Sequence, residues 1–417
     1  MVSESKRYWS SGVLAILAIA VLALSAVVTP AADWPQFRGE NRDGISSETG
    51  LLDAWPEGGP KEVWRRPIGE GYSAISIVGD RLFTMYGGEL DGEAVEFAAA
   101  FDAKTGEEIW RVPLGEKYDT EFGNGPRTTP TVDGETVYLM DSHGTFVALG
   151  AKDGKEIWRV SLTETFDSKR PHWGFSSSAL VDGDQVVVES GGAEGKSYVA
   201  LNKKTGEVKW TSGEGSGTPG YNSAIAVGKK GKHSYIYVAN KQLRCIANDG
   251  TEIWAYPWPE GETHASPIFI APDKVFAAGA EGVGASLIRI NESDGKKVAE
   301  EIWQTRFMRN HFSSSIVHEG HIYGFDNATL KSLALEDAAL AWAKRGLGKG
   351  SLIFADDKLV VLSDAGQLLL LEATAEGYVE RGSVQALEGR SWTAPTLANG
   401  RLYLRNHTEM VVFDLKG

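Results

Sequence analysis

Residues 101–110 read FDAKTGEEIW and residues 201–210 read LNKKTGEVKW, with AKDGKEIW at 151–158 between them. One short phrase therefore recurs about every fifty residues: a polar opening, a glycine, and a tryptophan four positions further on. Asp102 is suited to open a tight turn, its side chain accepting the N–H groups ahead of it. Gly106 supplies the positive φ that such a turn needs. The strand that follows carries Trp110 outward, toward a neighbouring unit.

Tryptophans after such turns stand at Trp64, Trp110, Trp158, Trp210, Trp254, Trp303 and Trp342, separated by 46, 48, 52, 44, 49 and 39 residues. A period in the forties belongs to a propeller blade or a helical repeat. The local pattern chooses between them. Within 128–158 the apolar runs TVYLM, TFVALG and KEIW are short and separated by DG, HG and DG. Short alternating runs between turn signals are antiparallel strands. Inner-strand starts near Ser73, Thr129, Ser177, Asn222, Ser266, Ser314, Gly350 and Ala394 count eight units. The sequence thus predicts an all-β, eight-bladed β-propeller of four-stranded antiparallel blades.

A blade has two apolar faces and is not stable alone. One buried tryptophan per blade contributes on the order of 2–3 kcal/mol to sealing the gap beside it. The tail Phe413–Gly417 stops within the turn phrase, where an outer strand should begin. Lys61-Glu62-Val63-Trp64 supplies the missing strand, so the N-terminal strand should close the last blade and remove an open edge. Two later units depart from the pattern: Ala338 replaces the turn glycine and Arg381 takes a tryptophan slot. Those blades are expected to be the least well sealed.

The expected organisation is a signal peptide or membrane anchor at 1–32, an extended head at 33–60 and the propeller at 61–417. Lys6 and Arg7 precede an apolar run from Gly12 to Val28. That run is short for a membrane span and has the order of a signal peptide, so both remain open. Either places the rest of the chain outside the cytoplasm, in the periplasm or anchored facing it. No cysteine follows the run, which excludes lipid attachment there.

The 417 residues are 42% hydrophobic and 24% charged, enough apolar content for a sizeable core. A formal net charge of -14 argues against nucleic acid as a partner, since phosphate is repelled. Lys229, Lys230 and Lys232 read as a solvated hairpin tip. The single cysteine, Cys245, permits no disulfide framework, no paired-cysteine metal site and no haem attachment within the chain. It reads as a small buried hydrophobe.

Ala100, Gly106 and Trp110 are spaced 1, 7 and 11, as are Ala148, Gly154 and Trp158, and Ala200, Gly206 and Trp210. This spacing resembles the tryptophan-docking motif of the PQQ-like (pyrroloquinoline-quinone-like) repeat propellers. That family includes PQQ-dependent alcohol dehydrogenases and the outer-membrane assembly factor BamB. The head DWPQFRGENRDG at 33–44 is similar to the entry segment of such propellers, and the resemblance covers about residues 33–417. It implies the fold but not one function, because the family holds catalysts and non-catalysts.

In a propeller the link between consecutive blades crosses one face toward the axis. The residues just before each inner strand are Tyr72, Arg127, His172 with Trp173, Tyr221, His264, His311 with Phe312, Lys349, and Arg390 with Trp392. Converging on one axis, they would form a cup of stacking planes and cations suited to an anionic or planar ligand. The plainer reading is that they cap blade tops and bond backbone groups.

The resemblance implies what a dehydrogenase would need: a carboxylate base, a Ca²⁺ or similar ion polarising the quinone, and an adjacent-cysteine disulfide stacked on it. One cysteine makes that disulfide impossible. Asp119 and Glu121 are the carboxylates expected nearest the channel face. Under this alternative Arg127 and Trp173 would be the first quinone contacts; otherwise no cofactor and no metal are expected. His318-Glu319-Gly320-His321 reads as exposed hairpin residues rather than a metal site. Asp141-Ser142-His143 lies in another hairpin and lacks a nucleophile elbow. Asn291, Asn327 and Asn406 match N-x-S/T, a weak signal. Arg38, Asn41, Arg42 and Asp43 either brace the head against the propeller or merely accompany packing by Trp34 and Phe37.

The sequence therefore points to an exported, non-catalytic binding or scaffold propeller of the cell envelope, similar to BamB, with an envelope protein as partner. The alternatives are a PQQ-dependent oxidoreductase carrying Ca²⁺, and a carbohydrate or small-anion binder at the central channel.

Overall fold

The computed structural model describes Met1 and residues 32–416. The apolar run at 12–28, and with it the signal peptide or anchor assigned to 1–32, lies outside those residues. The described strands form eight four-stranded antiparallel sheets arranged as an eight-bladed β-propeller. Blades I to VII span 76–116, 131–161, 180–212, 225–257, 268–305, 316–345 and 351–385, each running in chain order from inner to outer strand. Blade VIII takes its three inner strands from 396–414 and its outer strand from Lys61–Pro67. Lys61 pairs with Asp414, Trp64 with Val412 and Pro67 with Glu409, so the two ends share one sheet.

Inner strands are short, three residues in Ser76–Val78 and Thr131–Asp133, because the axis leaves little room. Middle strands are apolar on both faces because each blade is sandwiched by two others. Gln185–Gly192 is buried along its whole length.

The repeated phrase has a packing reason beyond its turn. Ala100, Ala148 and Ala200 lie directly across the strand pair from Trp110, Trp158 and Trp210. Each indole then reaches the next blade's turn. Trp64 Nε1 donates to the Ala103 carbonyl at 3.1 Å, Trp110 to Ala151 at 3.2 Å, and Trp158 to Lys203 at 3.0 Å. The turn glycine of that next blade lies flat on the indole. A Cβ at Gly154 would come within 2.8 Å of Trp110, and one at Gly250 within 2.9 Å of Trp210. Trp254 is buried but makes no such bond to a turn carbonyl. Blade V replaces the tight turn with a longer hairpin, whose Gly295 touches nothing.

The expectation of poorly sealed later blades needs correction. Trp342 is buried and donates to the Thr374 carbonyl at 2.8 Å. Ala338 takes the left-handed φ of +58° in place of glycine, and Trp303 still donates to Leu335 at 2.9 Å. The expectation that Arg381 takes the tryptophan slot is also corrected: Gly382 pairs with Leu370 as Trp110 pairs with Ala100, so Gly382 holds the slot, and Arg381 is the bulge residue before it, ion-paired with Glu372. An indole comes instead from the head: Trp55 is buried, its backbone N–H donates to the Arg381 carbonyl at 3.0 Å, and it packs against Gly382.

The head is pinned across the propeller. Trp34 pairs with Ile77 of blade I, and Ile45 with Phe354 of blade VII. Arg42 donates to the carbonyls of Ser178 and Ala179 beside blade III, at 2.8 Å each. Arg38 donates to Ser315 at 2.7 Å and Ser314 at 3.2 Å beside blade VI, and to its neighbour Asp43 at 2.6 Å. Both guanidiniums are buried, and desolvation lowers both pKa values to about 10. They remain charged, and the inner-strand carbonyls replace water for them. The arginines therefore brace the head, while Trp34 packs beneath.

Cys245 is buried opposite Trp254 in blade IV, and burial pushes its thiol up to about 12. No helix among the described residues is long and apolar enough to cross a membrane.

Candidate functional site

A cavity of about 440 Å³ lies on the axis. Phe37 and Arg38 of the head line it, as do Ser314, Ser351 and Ala394 at inner-strand starts. The links between blades contribute Tyr72, Arg127, Trp173, Tyr221, His264, His311, Phe312, Lys349 and Trp392. With the head lining it from below, the channel becomes a cup.

The rings touch in blade order. Centroids are 5.8 Å apart for Phe122–Trp173, 5.2 Å for Trp173–Tyr221, 5.1 Å for Tyr221–His264 and 5.2 Å for His264–His311. Phe312 then meets Trp392 at 4.7 Å, and Trp392 stacks on Tyr72 at 5.8 Å. The Arg127 guanidinium lies 5.1 Å from the Tyr72 ring centre, next to the starting point. Nearly every link thus adds one plane to a continuous aromatic wall.

Not every expected residue faces the cup. His172 is exposed and pairs with Glu121 at 2.8 Å. Arg390 stacks over Trp392 at 4.4 Å and donates to the Phe122 carbonyl at 2.6 Å. Arg127 lines the cavity, but its donors are used within its own loop, on Gly123 at 2.9 Å and Gly125 at 2.8 Å. Loop 118–126 is thereby held over the mouth, its Phe122 carbonyl also accepting from the Tyr72 hydroxyl.

The carboxylates near the channel are not those expected. Asp119 pairs with Lys117 at 3.3 Å and Glu121 with His172; neither lines the cavity. Glu262 and Glu281 do line it. Glu262 sits in the link ahead of blade V and Glu281 in a hairpin turn of that blade, with no repeat signature to mark them. Desolvation raises the Glu262 pKa, and the nearby Glu281 charge adds to the rise. Burial lowers His264 to about 3 and also lowers His311, so both rings are neutral at pH 7. Trp173 Nε1, Trp392 Nε1, His264 Nδ1 and His311 Nδ1 are buried without a hydrogen-bond partner.

The other motifs fold into local roles. Asp141 Oδ1 accepts the N–H groups of His143 at 2.9 Å and Thr145 at 2.7 Å, while His143 meets Arg170 at 2.8 Å. His318 lies against Phe354, and His321 turns to the Glu319 carbonyl. Asn406 is buried, its side chain accepting three groups of its own turn.

The quinone and Ca²⁺ of the family's catalysts can be tested against these residues. The flat rings suit a planar ligand. The one cysteine lies in blade IV, opposite Trp254, and does not line the cavity. Among the described residues no three His, Cys, Asp or Glu side chains gather as metal ligands. The donor set does not fit the polarising cation.

A closed eight-bladed ring with a head-lined aromatic cup defines the class: a PQQ-like repeat propeller. The family model that matches residues 96–344, more than half the chain, is described as outer membrane protein assembly factor BamB, and the chain belongs to that family. Its fold is similar to BamB from Moraxella catarrhalis, with a TM-score of 0.61 at 13% identity over 85% of this chain and 99% of that one. It is also similar to quinohemoprotein alcohol dehydrogenase from Comamonas testosteroni, with a TM-score of 0.59 at 12% identity over 92% and 81% of the two chains. Quinohemoprotein alcohol dehydrogenase ADHIIG from Pseudomonas putida HK5 gives 0.64 at 12% identity over 93% and 80%. No curated protein matches the sequence.

Proposed function

We propose that this protein is an exported, non-catalytic propeller of the cell envelope that holds a protein partner, as the name of its family model suggests for BamB. The observation that carries the reading is the open outer edge of the blades. Each outer strand is hydrogen-bonded on one side only, and Ile109, Ile157 and Leu340 stand exposed on three of them. An extended partner segment can add to such an edge through main-chain bonds, with apolar side chains giving grip. The apolar run at 12–28 supports export. The unmatched donor set in the cup supports binding without turnover.

Crosslinking the full chain in intact cells, then fractionating them, tests the reading. Recovery with the envelope, crosslinked to an envelope protein, is the expected result. Recovery in the cytoplasm without partners would overturn it. Dye-linked alcohol oxidation after adding PQQ and Ca²⁺ would overturn the non-catalytic part.

A further inference from the structure

We infer that the axial cup is a carbohydrate site, taking a mono- or disaccharide with its C–H faces against the ring wall. The wall selects for flat, weakly polar faces, and its volume of about 440 Å³ is that of a small-molecule site. The charges then decide between ligand classes. Glu262 and Glu281 line the cavity on one side, and Lys349 and Arg38 line it as well. The Glu281 carboxylate and the Lys349 ammonium have no hydrogen-bonded or ion-pair partner among the described residues. A polyanion meets repulsion from the two glutamates. An organic cation meets Lys349 and Arg38.

A hydroxyl group satisfies both signs, since it donates to a carboxylate and accepts from an ammonium. A sugar ring presents several hydroxyls around its edge and C–H groups on its faces. The unpaired ring nitrogens of Trp173, Trp392, His264 and His311 lie in the same wall. Those nitrogens are closed off within the wall, so a guest meets ring faces there, and its polar contacts fall to Glu262, Glu281 and Lys349. Glu262 and Glu281 turn the anion-binding expectation into this one.

The inference is independent of the scaffold reading, since a sugar can occupy the cup with or without a partner on the blade edges. Calorimetric titration of the purified full chain tests it. The probes are D-glucose, D-galactose, N-acetyl-D-glucosamine, D-glucuronate, cellobiose and chitobiose, with glycine, L-lysine and benzoate representing the competing chemistries. At least one sugar should bind saturably. Trp392→Ala and Glu281→Gln should each weaken it about tenfold or more, the second without disturbing the fold because Glu281 is exposed. Absence of binding by all six sugars overturns the inference. So does sugar binding that both variants leave intact, or occupancy by glycine, lysine or benzoate in place of sugar. Failure of the crosslinking experiment would leave these titrations unchanged.

Discussion

The indole of Trp64 lies flat beneath Gly106 of the neighbouring blade. A Cβ at position 106 would stand 2.9 Å from Trp64 Cε3, and Trp64 Nε1 donates to the Ala103 carbonyl of the same turn. One glycine is therefore fixed twice, by its φ of +72° and by the ring against it.

Gly106→Ala should destabilise the protein by about 2–4 kcal/mol, adding overpacking to backbone strain. Gly134→Ala has a φ of +59° with nothing within 4 Å, so it should show the strain alone, about 1 kcal/mol. Urea denaturation of both variants checks the difference. Equal losses would mean that the indole yields freely.

Trp55→Ala should cost about 3–5 kcal/mol, the usual loss for a large buried aromatic. The reason is that Trp55 fills the gap at Gly382, which stands where other blades carry their tryptophan, although Trp55 lies outside the repeat. Thermal melts read the effect. A change below about 1 kcal/mol would show that the head does not seal blade VII.

Glu189 should impose a pH dependence on stability. It is buried, accepts the Gly220 N–H at 2.8 Å, and desolvation raises its pKa to about 8. A carboxyl with a raised folded pKa binds its proton more tightly in the folded state. Its stabilisation is complete below about pH 4.5 and is lost as the pH rises toward 8, by at most about 1.4 kcal/mol per unit. Glu96, raised to about 7 by burial, acts with the same sign. His264 and His407, lowered by burial to about 3 and about 4, act oppositely, losing stability as the pH falls below 6.5. Glu189→Gln should flatten the alkaline limb of a stability-against-pH curve and leave the acid limb in place.

Arg390→Ala should loosen loop 118–126 with little effect on global stability, since it removes the 2.6 Å bond to Phe122 at an exposed edge. Hydrogen exchange should quicken in that loop and stay unchanged in the blades. Unchanged protection of the loop would show that Tyr72 and Arg127 suffice to hold it.

The repeat was legible because it is written in the least replaceable residues: an alanine under the indole, a glycine over it, and the indole itself. Ring closure was legible for the same reason, since Trp64 carries the phrase without a blade of its own. The positions before inner strands were legible from topology, which turned eight separate loops into one wall. Glu262 and Glu281 were not, because a glutamate in a loop looks like any solvated charge until the ring brings it to the axis. Trp55 was hidden likewise: in WPEGG it reads as part of a turn, and only three-dimensional proximity pairs it with the defect at Gly382. Arg127 shows the limit of reading by type, since its position was foreseen but its donors are used within its own loop.

Arg65 and Glu409 meet in the shared sheet although they are 344 positions apart. The velcro between these two strands therefore cannot engage until residues 409–414 have been synthesised. Until then the strand Lys61–Pro67 has no sheet to join, and nothing fixes the indole of Trp64 against blade I.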